Sequence, residues 1–246
     1  SIIIDPDNNT SVILLINAVH PLDGKGVVRL RSLVANAVAG ANCPAPRSYF
    51  AHYYKRFLQF MNEPAITSND IVMLGNSLTE GGGDWGKRLG KDNIINRGIS
   101  GDVAMGIYDR LHQILPGKPK QIFLLIGVND ISHDLSTDSI VQMIEKNVTR
   151  IQRESPETKL YLQSLLPIDE SFNRYKKLTN KTYQIPEIND RLKALAKEKK
   201  IDFIDLYPLF TEKGTNVLRK ELTYDGLHLK EEGYKIWVDA IKKKMK

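Results

Sequence analysis

One stretch decides the fold: Ile71-Val72-Met73-Leu74-Gly75-Asn76-Ser77-Leu78-Thr79-Glu80, an apolar run that ends abruptly in a small polar turn. Four consecutive apolar residues followed by glycine are typical of a strand buried in a parallel sheet. Ser77 then lies just beyond the carboxyl end of that strand, where open α/β sheets bind their ligands. A serine at such a junction is commonly a helix N-cap. It is a nucleophile only if the chain also supplies a histidine base, an acid that orients the base, and donors for an oxyanion.

The same alternation continues toward the C-terminus. The apolar patterns predict further strands at 93–98, 121–127, 159–166 and 201–206, and helices at 53–61, 103–115, 139–153, 185–199 and 231–244. Strands that alternate with helices of this length form βαβ units, so the sheet should be parallel and covered on both faces. We therefore predict a three-layer α/β/α fold with a flavodoxin-like five-stranded parallel sheet of order 2-1-3-4-5.

The first fifty residues lack this regularity. Apolar runs at 2–4 and 12–16 predict two strands separated by a turn, residues 27–41 suit either a helix or a strand, and residues 42–46 are a breaker. We expect an N-terminal extension of unknown role at 1–50 and one compact domain at 51–246.

Composition limits the classes of protein to consider. A hydrophobic content of 41% and a charged content of 26% are those of an ordinary globular protein, and no apolar run approaches the ~20 residues of a membrane span. Cys43 is the only cysteine, which excludes an intramolecular disulfide and a cysteine-based zinc site. The chain starts at Ser1 rather than Met, so we expect a preceding segment to have been removed and favour a secreted or periplasmic protein over a cytoplasmic one.

The net charge of +6 permits an anionic partner without requiring one. The lysines concentrate at 197–200 and 242–246, where predicted helices end and where cations complement the helix dipole. No basic stripe with interleaved aromatic residues and no zinc-finger spacing is present. We therefore predict no nucleic-acid partner.

Polar residues of chemical interest follow several predicted strands. Ser77 follows the first strand, Gly98 ends the second, Asn129 lies just past the third, and Asp225 and His228 occupy the loop between the fifth strand and the last helix. The carboxyl ends of parallel strands share one edge of the sheet, so these residues should lie close together. Taken singly, Gly98 suits a turn, Asn129 a helix cap and His228 a solvated surface. Their joint placement favours a common site.

Each of these residue types suits acyl transfer. Ser77 would attack a carbonyl carbon, His228 would take its proton, and Asp225 would hold the imidazole tautomer and stabilise the imidazolium. The oxyanion would be bound by the backbone N–H groups of Ser77 and Gly98 and by the side-chain amide of Asn129. We predict Ser77, Asp225 and His228 as catalytic residues.

Four blocks resemble those of the SGNH (GDSL-type) hydrolases and occur in that family's order: Gly75-Asn76-Ser77-Leu78, Asn96-Arg97-Gly98-Ile99-Ser100-Gly101-Asp102, Gly127-Val128-Asn129-Asp130 and Asp225-Gly226-Leu227-His228-Leu229. The resemblance covers residues 53–246 and is closest to bacterial carbohydrate acetylesterases and to platelet-activating-factor acetylhydrolase-like catalytic subunits. It implies a three-layer α/β/α fold with no metal and no cofactor. Asn76 departs from the family pattern, which has Asp there, so we expect altered hydrogen bonding within the loop rather than loss of hydrolysis.

Residues that flank the blocks have weaker cases. We predict Glu80, Trp85 and Arg97 as substrate contacts, and His133 is close enough to Asn129 to border the substrate. Residues 81–83 are three glycines, but the absence of a following Gly-Lys-Ser/Thr argues against a nucleotide site. The chain also lacks the G-x-S-x-G motif of the α/β-hydrolase fold.

We interpret the chain as a serine esterase that removes short acyl groups, acetyl above all, from a carbohydrate or another small-molecule ester. The connection 167–186 is polar and basic and offers no long apolar trough for a fatty chain, whereas Tyr175 and Tyr183 could stack on a sugar ring. The same fold would also suit a thioesterase or a lysophospholipase. The alternative from a different class is a non-catalytic carbohydrate-binding module, but such a module would not need the base His228 three residues from the acid Asp225.

Overall fold

In the computed structural model, the described residues are Ile2–Asp5 and Thr10–Ile13, as backbone, and residues 49–245. The chain divides into two compact units, Ser1–Tyr49 and Phe50–Lys246. In the first unit, β1 (Ile2–Asp5) pairs antiparallel with β2 (Thr10–Ile13). Strand β2 begins before the predicted run at 12–16. The predictions for 14–16, 27–41 and 42–46 lie outside the described residues.

The second unit is built on a five-stranded, all-parallel sheet. Its strands, in chain order, are β3 (Ile71–Gly75), β4 (Ile94–Gly98), β5 (Gln121–Leu125), β6 (Lys159–Gln163) and β7 (Asp202–Ile204). They lie side by side as β4-β3-β5-β6-β7, which is the predicted order 2-1-3-4-5, so the predicted fold class is confirmed. Gly75 lies opposite Gly98 on one side and Leu125 on the other, and the carboxyl ends of three strands therefore meet.

The helices of the described residues follow the strands in alternation. They are α1 (Ala51–Asn62), α2 (Ser77–Gly81), α3 (Trp85–Leu89), α4 (Ala104–Arg110), α5 (Val128–Ser132), α6 (Thr137–Glu154), α7 (Gln184–Glu198), α8 (Tyr207–Phe210) and α9 (Glu231–Lys242). None of the helices in the described part of the chain combines the length and apolarity that a membrane crossing requires.

Two apolar cores lie on opposite faces of the sheet, because successive side chains of a strand point to opposite sides. On β3, Val72 and Leu74 join the core packed against α4, α6 and α7. Ile71 and Met73 join the other core, against α3, α8 and α9. All five residues of β3 are buried, which is why the strand is a continuous apolar run in the sequence.

The structure differs from the predicted elements mainly where helices are short. Helices α2, α3, α5 and α8 are only four or five residues long and carry no periodic pattern that would predict them. The helix predicted at 103–115 ends at Arg110 and continues as two 3₁₀ turns, Leu111–Gln113 and Leu115–Gly117. Pro116 lies in the second turn, and its ring and missing N–H disfavour a longer α-helix.

Candidate active site

Ser77 is the first residue of α2 and is separated from the end of β3 by one residue, Asn76. The N-cap is Asn76, whose Oδ1 accepts a hydrogen bond from the N–H of Leu78 at 3.1 Å. Asn76 therefore supplies the local hydrogen bond that a carboxylate would make at this position, and Ser77 is not needed as a cap. Gly75 has no space for a side chain, because a Cβ there would collide with the carbonyl oxygen of Leu125. The turn thus presents Ser77, half-buried, at the edge of the sheet.

Three buried side chains from other segments donate hydrogen bonds to the backbone of this turn. The Tyr234 hydroxyl donates to the carbonyl oxygen of Leu78 at 2.9 Å, and the Trp85 indole N–H donates to that of Thr79, also at 2.9 Å. Nη2 of Arg110 donates to the carbonyl oxygen of Gly75 at 3.1 Å. All three donors are buried, so the short helix that carries Ser77 is fixed by the core of the domain.

Asp225 and His228 lie in one tight loop before α9. Oδ1 of Asp225 accepts the backbone N–H groups of Leu227 at 3.0 Å and of His228 at 2.7 Å. Gly226 has a φ of +89°, which strongly favours glycine, and a Cβ there would collide with the carbonyl oxygen of Asp169. The loop thereby places the His228 ring beside the Asp225 carboxylate.

The structure brings these three side chains together in a chain of hydrogen bonds. Nδ1 of His228 lies 2.8 Å from Oδ2 of Asp225, and Nε2 lies 2.9 Å from Oγ of Ser77. An imidazole that donates from Nδ1 to a carboxylate leaves Nε2 bare, so the Ser77 hydroxyl donates to it. Burial works to raise the pKa of Asp225, but hydrogen bonds from Tyr175, from His228 and from backbone N–H groups hold this pKa below its ordinary value. The acid therefore stays ionised beside the imidazole.

The predicted oxyanion donors differ in their availability. The N–H of Ser77 is the first of α2, a position without an intrahelical acceptor. Nδ2 of Asn129 donates to the carbonyl oxygen of Asp102 at 2.8 Å, which orients the amide and uses one of its two hydrogens. Both groups can therefore donate to a developing negative charge.

Gly98 is placed differently from the prediction. Its N–H donates to Oδ1 of Asn96 at 2.9 Å, so this donor is already occupied. A Cβ at Gly98 would collide with the backbone of Glu80, which explains the glycine by close packing of β4 against α2. Gly101 is the better candidate: it has a φ of +85°, and its N–H has no acceptor among the residues that the structure describes. It also precedes Asp102, the residue that orients Asn129.

Two of the predicted substrate contacts are buried and cannot touch a substrate. Trp85 is 1% exposed and packs in the core, and Arg97 is 3% exposed, ion-paired with Glu63 and stacked on Phe60. Both carry polar atoms, and it is tertiary packing that removes them from the surface.

The other two flanking candidates remain near the surface. Glu80 is partly buried and accepts both the N–H and the hydroxyl of Ser100, at 2.5 and 2.7 Å, and it lies 3.0 Å from Nε2 of His52. It therefore ties α1 and α2 to the turn that precedes Gly101. His133 is exposed at the C-terminal end of α5.

One hydroxyl at this site has a role that the sequence does not predict. Tyr175, expected to stack on a sugar, instead places its hydroxyl 2.6 Å from Oδ2 of Asp225 and 2.9 Å from Nδ1 of His228. Its neighbours Arg174, Lys176 and Lys177 are exposed and make this rim of the site basic. Its position on the polar connection is the only sequence signal that could have indicated it.

This chain is similar to known proteins in sequence and in structure. The model of the GDSL-like lipase/acylhydrolase family matches residues 73–236. A GDSL-like lipase from Bacteroides thetaiotaomicron VPI-5482 is similar in structure, with a TM-score of 0.69 and 25% identity over 80% of this chain and 98% of that chain. An acetyl xylan esterase, AlAXEase, is similar with a TM-score of 0.60 and 22% identity, over 72% of this chain and 100% of that chain.

A curated relative is similar over a shorter share of its own length. It is the N-acylneuraminate cytidylyltransferase of Escherichia coli O18:K1:H7, 25% identical over 177 residues. The match covers 70% of this chain and 39% of that relative, so the chain spans well under half of its length.

Proposed function

The chain belongs to the GDSL-like lipase/acylhydrolase family, and on that premise we propose that it is a carboxylic ester hydrolase with a serine nucleophile. It transfers a short acyl group, acetyl above all, to Ser77 and then to water. One observation carries the proposal. The Ser77 hydroxyl, the imidazole of His228 and the Asp225 carboxylate form a continuous hydrogen-bonded chain of 2.9 and 2.8 Å at the carboxyl end of the sheet.

The first half-reaction follows from that chain. Oγ of Ser77 attacks the ester carbonyl carbon while Nε2 of His228 takes the hydroxyl proton. The tetrahedral intermediate then breaks its bond to the leaving alcohol, which receives the proton from Nε2. An acyl group remains on Ser77. In the second half-reaction a water molecule attacks the acyl carbon and loses a proton to Nε2. The bond from the acyl carbon to Oγ then breaks, Oγ takes the proton back from Nε2, and the carboxylic acid is released.

Three N–H groups are proposed as donors to the oxyanion in both steps: the backbone N–H groups of Ser77 and Gly101 and the side-chain amide of Asn129. This set includes the N–H of Gly101 and not that of Gly98, because the N–H of Gly98 already donates to Oδ1 of Asn96. Such donors act when charge develops on the oxygen, and they need no reorganisation at that moment.

We expect Asn129→Ala to lower kcat by about 10²–10³, the usual effect of removing one oxyanion donor. KM should change much less, because the amide acts mainly in the transition state. Steady-state kinetics on p-nitrophenyl acetate measures both quantities. A raised KM with unchanged kcat would instead make Asn129 a ground-state contact.

Asn147→Ala is the matched control for that experiment. Like Asn129, Asn147 donates from its side-chain amide to backbone carbonyl oxygens, those of Ala104 at 2.8 Å and Met143 at 3.0 Å, but it is buried in α6 and in the core. Its loss should lower Tm and leave kcat close to that of the unmodified enzyme. An equal loss of kcat in both variants would show that Asn129 supports the fold rather than the oxyanion.

For the leaving group we propose a carbohydrate. The connection 167–186, which contacts His228 through Tyr175, carries an exposed aromatic side chain, Tyr183, and basic residues around Tyr175. Such a polar rim suits a sugar better than a lipid. The acetyl xylan esterase and the N-acylneuraminate cytidylyltransferase are both named for reactions of sugars. Acetylated xylo-oligosaccharides and acetylated N-acylneuraminate are therefore the first natural esters to assay.

We expect acetate and propionate esters to react fastest, with kcat/KM falling well before eight carbons. A long acyl chain gains about 0.8 kcal/mol for each buried methylene only where an apolar trough receives it. The connection beside His228 is polar at its surface, and its leucine, Leu178, is buried in the core. A p-nitrophenyl ester series from two to twelve carbons measures this. A maximum at octanoate or beyond would favour a lysophospholipase or thioesterase, to be checked with lysophospholipid and acyl-CoA.

A further inference from the structure

The hydroxyl of Tyr175 contacts both partners of the acid–base pair. It donates to Oδ2 of Asp225 at 2.6 Å, and its oxygen lies 2.9 Å from Nδ1 of His228. The ring itself packs edge-on against the imidazole, with centroids 5.7 Å apart and planes at 67°. Tyr175 belongs to the connection 167–186, so this contact joins segments about fifty residues apart in the chain.

The positions of the protons follow from these distances. Oδ2 of Asp225 is an acceptor, so the short contacts from Tyr175 and from Nδ1 of His228 each need a proton on the donor. Once the tyrosine proton is directed at Oδ2, the remaining lone pairs of its oxygen face Nδ1. Nδ1 must then carry a proton, and Nε2 is left bare toward Ser77. The hydroxyl therefore favours the tautomer that can accept the serine proton.

The same hydroxyl completes the coordination of the carboxylate. Oδ1 of Asp225 accepts two backbone N–H groups, and Oδ2 accepts the imidazole and the tyrosine, so each oxygen has two donors. Burial and the nearby carboxylate raise the pKa of Tyr175, which therefore remains a proton donor throughout the neutral range. The other titratable or charged groups that face this cluster are Tyr224, stacked on the imidazole, and Arg174 beside Tyr175.

We infer that Tyr175 is a positioning residue that holds the Asp225 carboxylate in place and ionised and fixes the proton of His228 on Nδ1. This inference rests on the proposed serine-esterase function, because it assigns a task within the same relay. Tyr175 acts through Asp225 and His228 and does not itself react. It is neither a nucleophile nor an oxyanion donor.

The test is Tyr175→Phe, which keeps the ring against His228 and removes only the hydroxyl. At the pH of maximum activity, kcat should fall about tenfold or more, the usual value of one hydrogen bond to a charged group, with KM nearly unchanged. The acid limb of the pH profile should also move to higher pH. The Tyr175 hydrogen bond helps to hold the pKa of Asp225 below its ordinary value, so without it the carboxylate binds a proton more readily. Protonation of Asp225 then removes the active form at a higher pH.

Tyr224→Phe is the matched control. Tyr224 also stacks on His228, with centroids 6.0 Å apart, but its hydroxyl has no hydrogen-bond partner among the residues that the structure describes. We expect its kcat and its pH profile to match those of the unmodified enzyme. Identical behaviour of the two variants, or a Tyr175→Phe enzyme with the original kcat and profile, would overturn the inference. A change confined to KM would also overturn it, because Tyr175 would then be a substrate contact.

A measurement independent of turnover separates this inference from the proposed function. Nitrogen NMR of the labelled imidazole should show His228 as a single Nδ1–H tautomer, and Tyr175→Phe should introduce the Nε2–H form. If the tautomer does not change, the inference fails while the esterase assignment stands. If instead Ser77→Ala retains full activity, the proposed function fails whatever the state of the imidazole.

Discussion

Ser77→Ala should reduce hydrolysis of p-nitrophenyl acetate by a factor on the order of 10⁵–10⁶, to near the background rate. In the proposed mechanism no other oxygen can form the acyl-enzyme, and the bare Nε2 of His228 would have no hydroxyl to deprotonate. The stability of the protein should hardly change, because the hydrogen bond that caps α2 comes from Asn76. We expect the free energy of unfolding to stay within about 0.5 kcal/mol of the original value.

Active-site labelling gives this prediction a second readout. An organophosphonate should modify Ser77 in the unmodified protein and leave Ser77→Ala unlabelled, as read by mass spectrometry of peptides. Ser68→Ala is a suitable control, because Ser68 is an exposed serine in the turn before β3 and should be dispensable. Label on a different serine, or turnover retained without Ser77, would refute the assigned nucleophile.

His228→Ala should cause a loss of similar size, at least about 10⁴-fold in kcat. Without the imidazole the hydroxyl of Ser77 has no base, and the leaving alcohol has no acid. Groups that act as one unit do not contribute additively, so the double variant Ser77→Ala/His228→Ala should be no slower than the worse single variant. Equal rates in the three variants, measured at saturating substrate, would support a single relay.

His112→Ala serves as the control for that substitution. Its imidazole contacts the carbonyl oxygen of Asp109 and the ring of Phe57, away from Ser77 and Asp225, and its removal should leave kcat unchanged. If the two single losses multiplied in the double variant, Ser77 and His228 would be acting in separate steps, and the relay would have to be abandoned.

The sequence is sufficient to predict the sheet, because β3 and β5 are continuous apolar runs and helical patterns follow the strands from β4 onward. The register of β3 against β4 and β5 then brings Ser77 and Asn129 to one edge of the sheet, as parallel strands require. Short elements are less predictable. Helix α2 makes a single turn, and its existence depends on the cap from Asn76 and on donors from the core.

The parts of the site that the sequence does not specify are those set by tertiary hydrogen bonds. The sequence pattern predicts Gly98 as an oxyanion donor, but Oδ1 of Asn96 accepts its N–H, and this leaves Gly101 as the candidate. Arg97 carries a charge that suggests the surface, yet an ion pair and an aromatic ring accommodate it in the interior. Tyr175 reaches Asp225 from a different segment, a contact that no local pattern encodes.

Tyr234 and Trp85 anchor α2, and Arg110 anchors the end of β3 just before it. This anchoring bears on how the enzyme would lose activity on heating and where it would adapt to new substrates. These donors are buried in the core, so Ser77 cannot be displaced until the core itself unfolds. Thermal inactivation of this side of the site would therefore coincide with cooperative melting of the domain. Adaptation to a different alcohol is easier on the opposite side, where the connection bearing Tyr175 meets solvent with its charged neighbours.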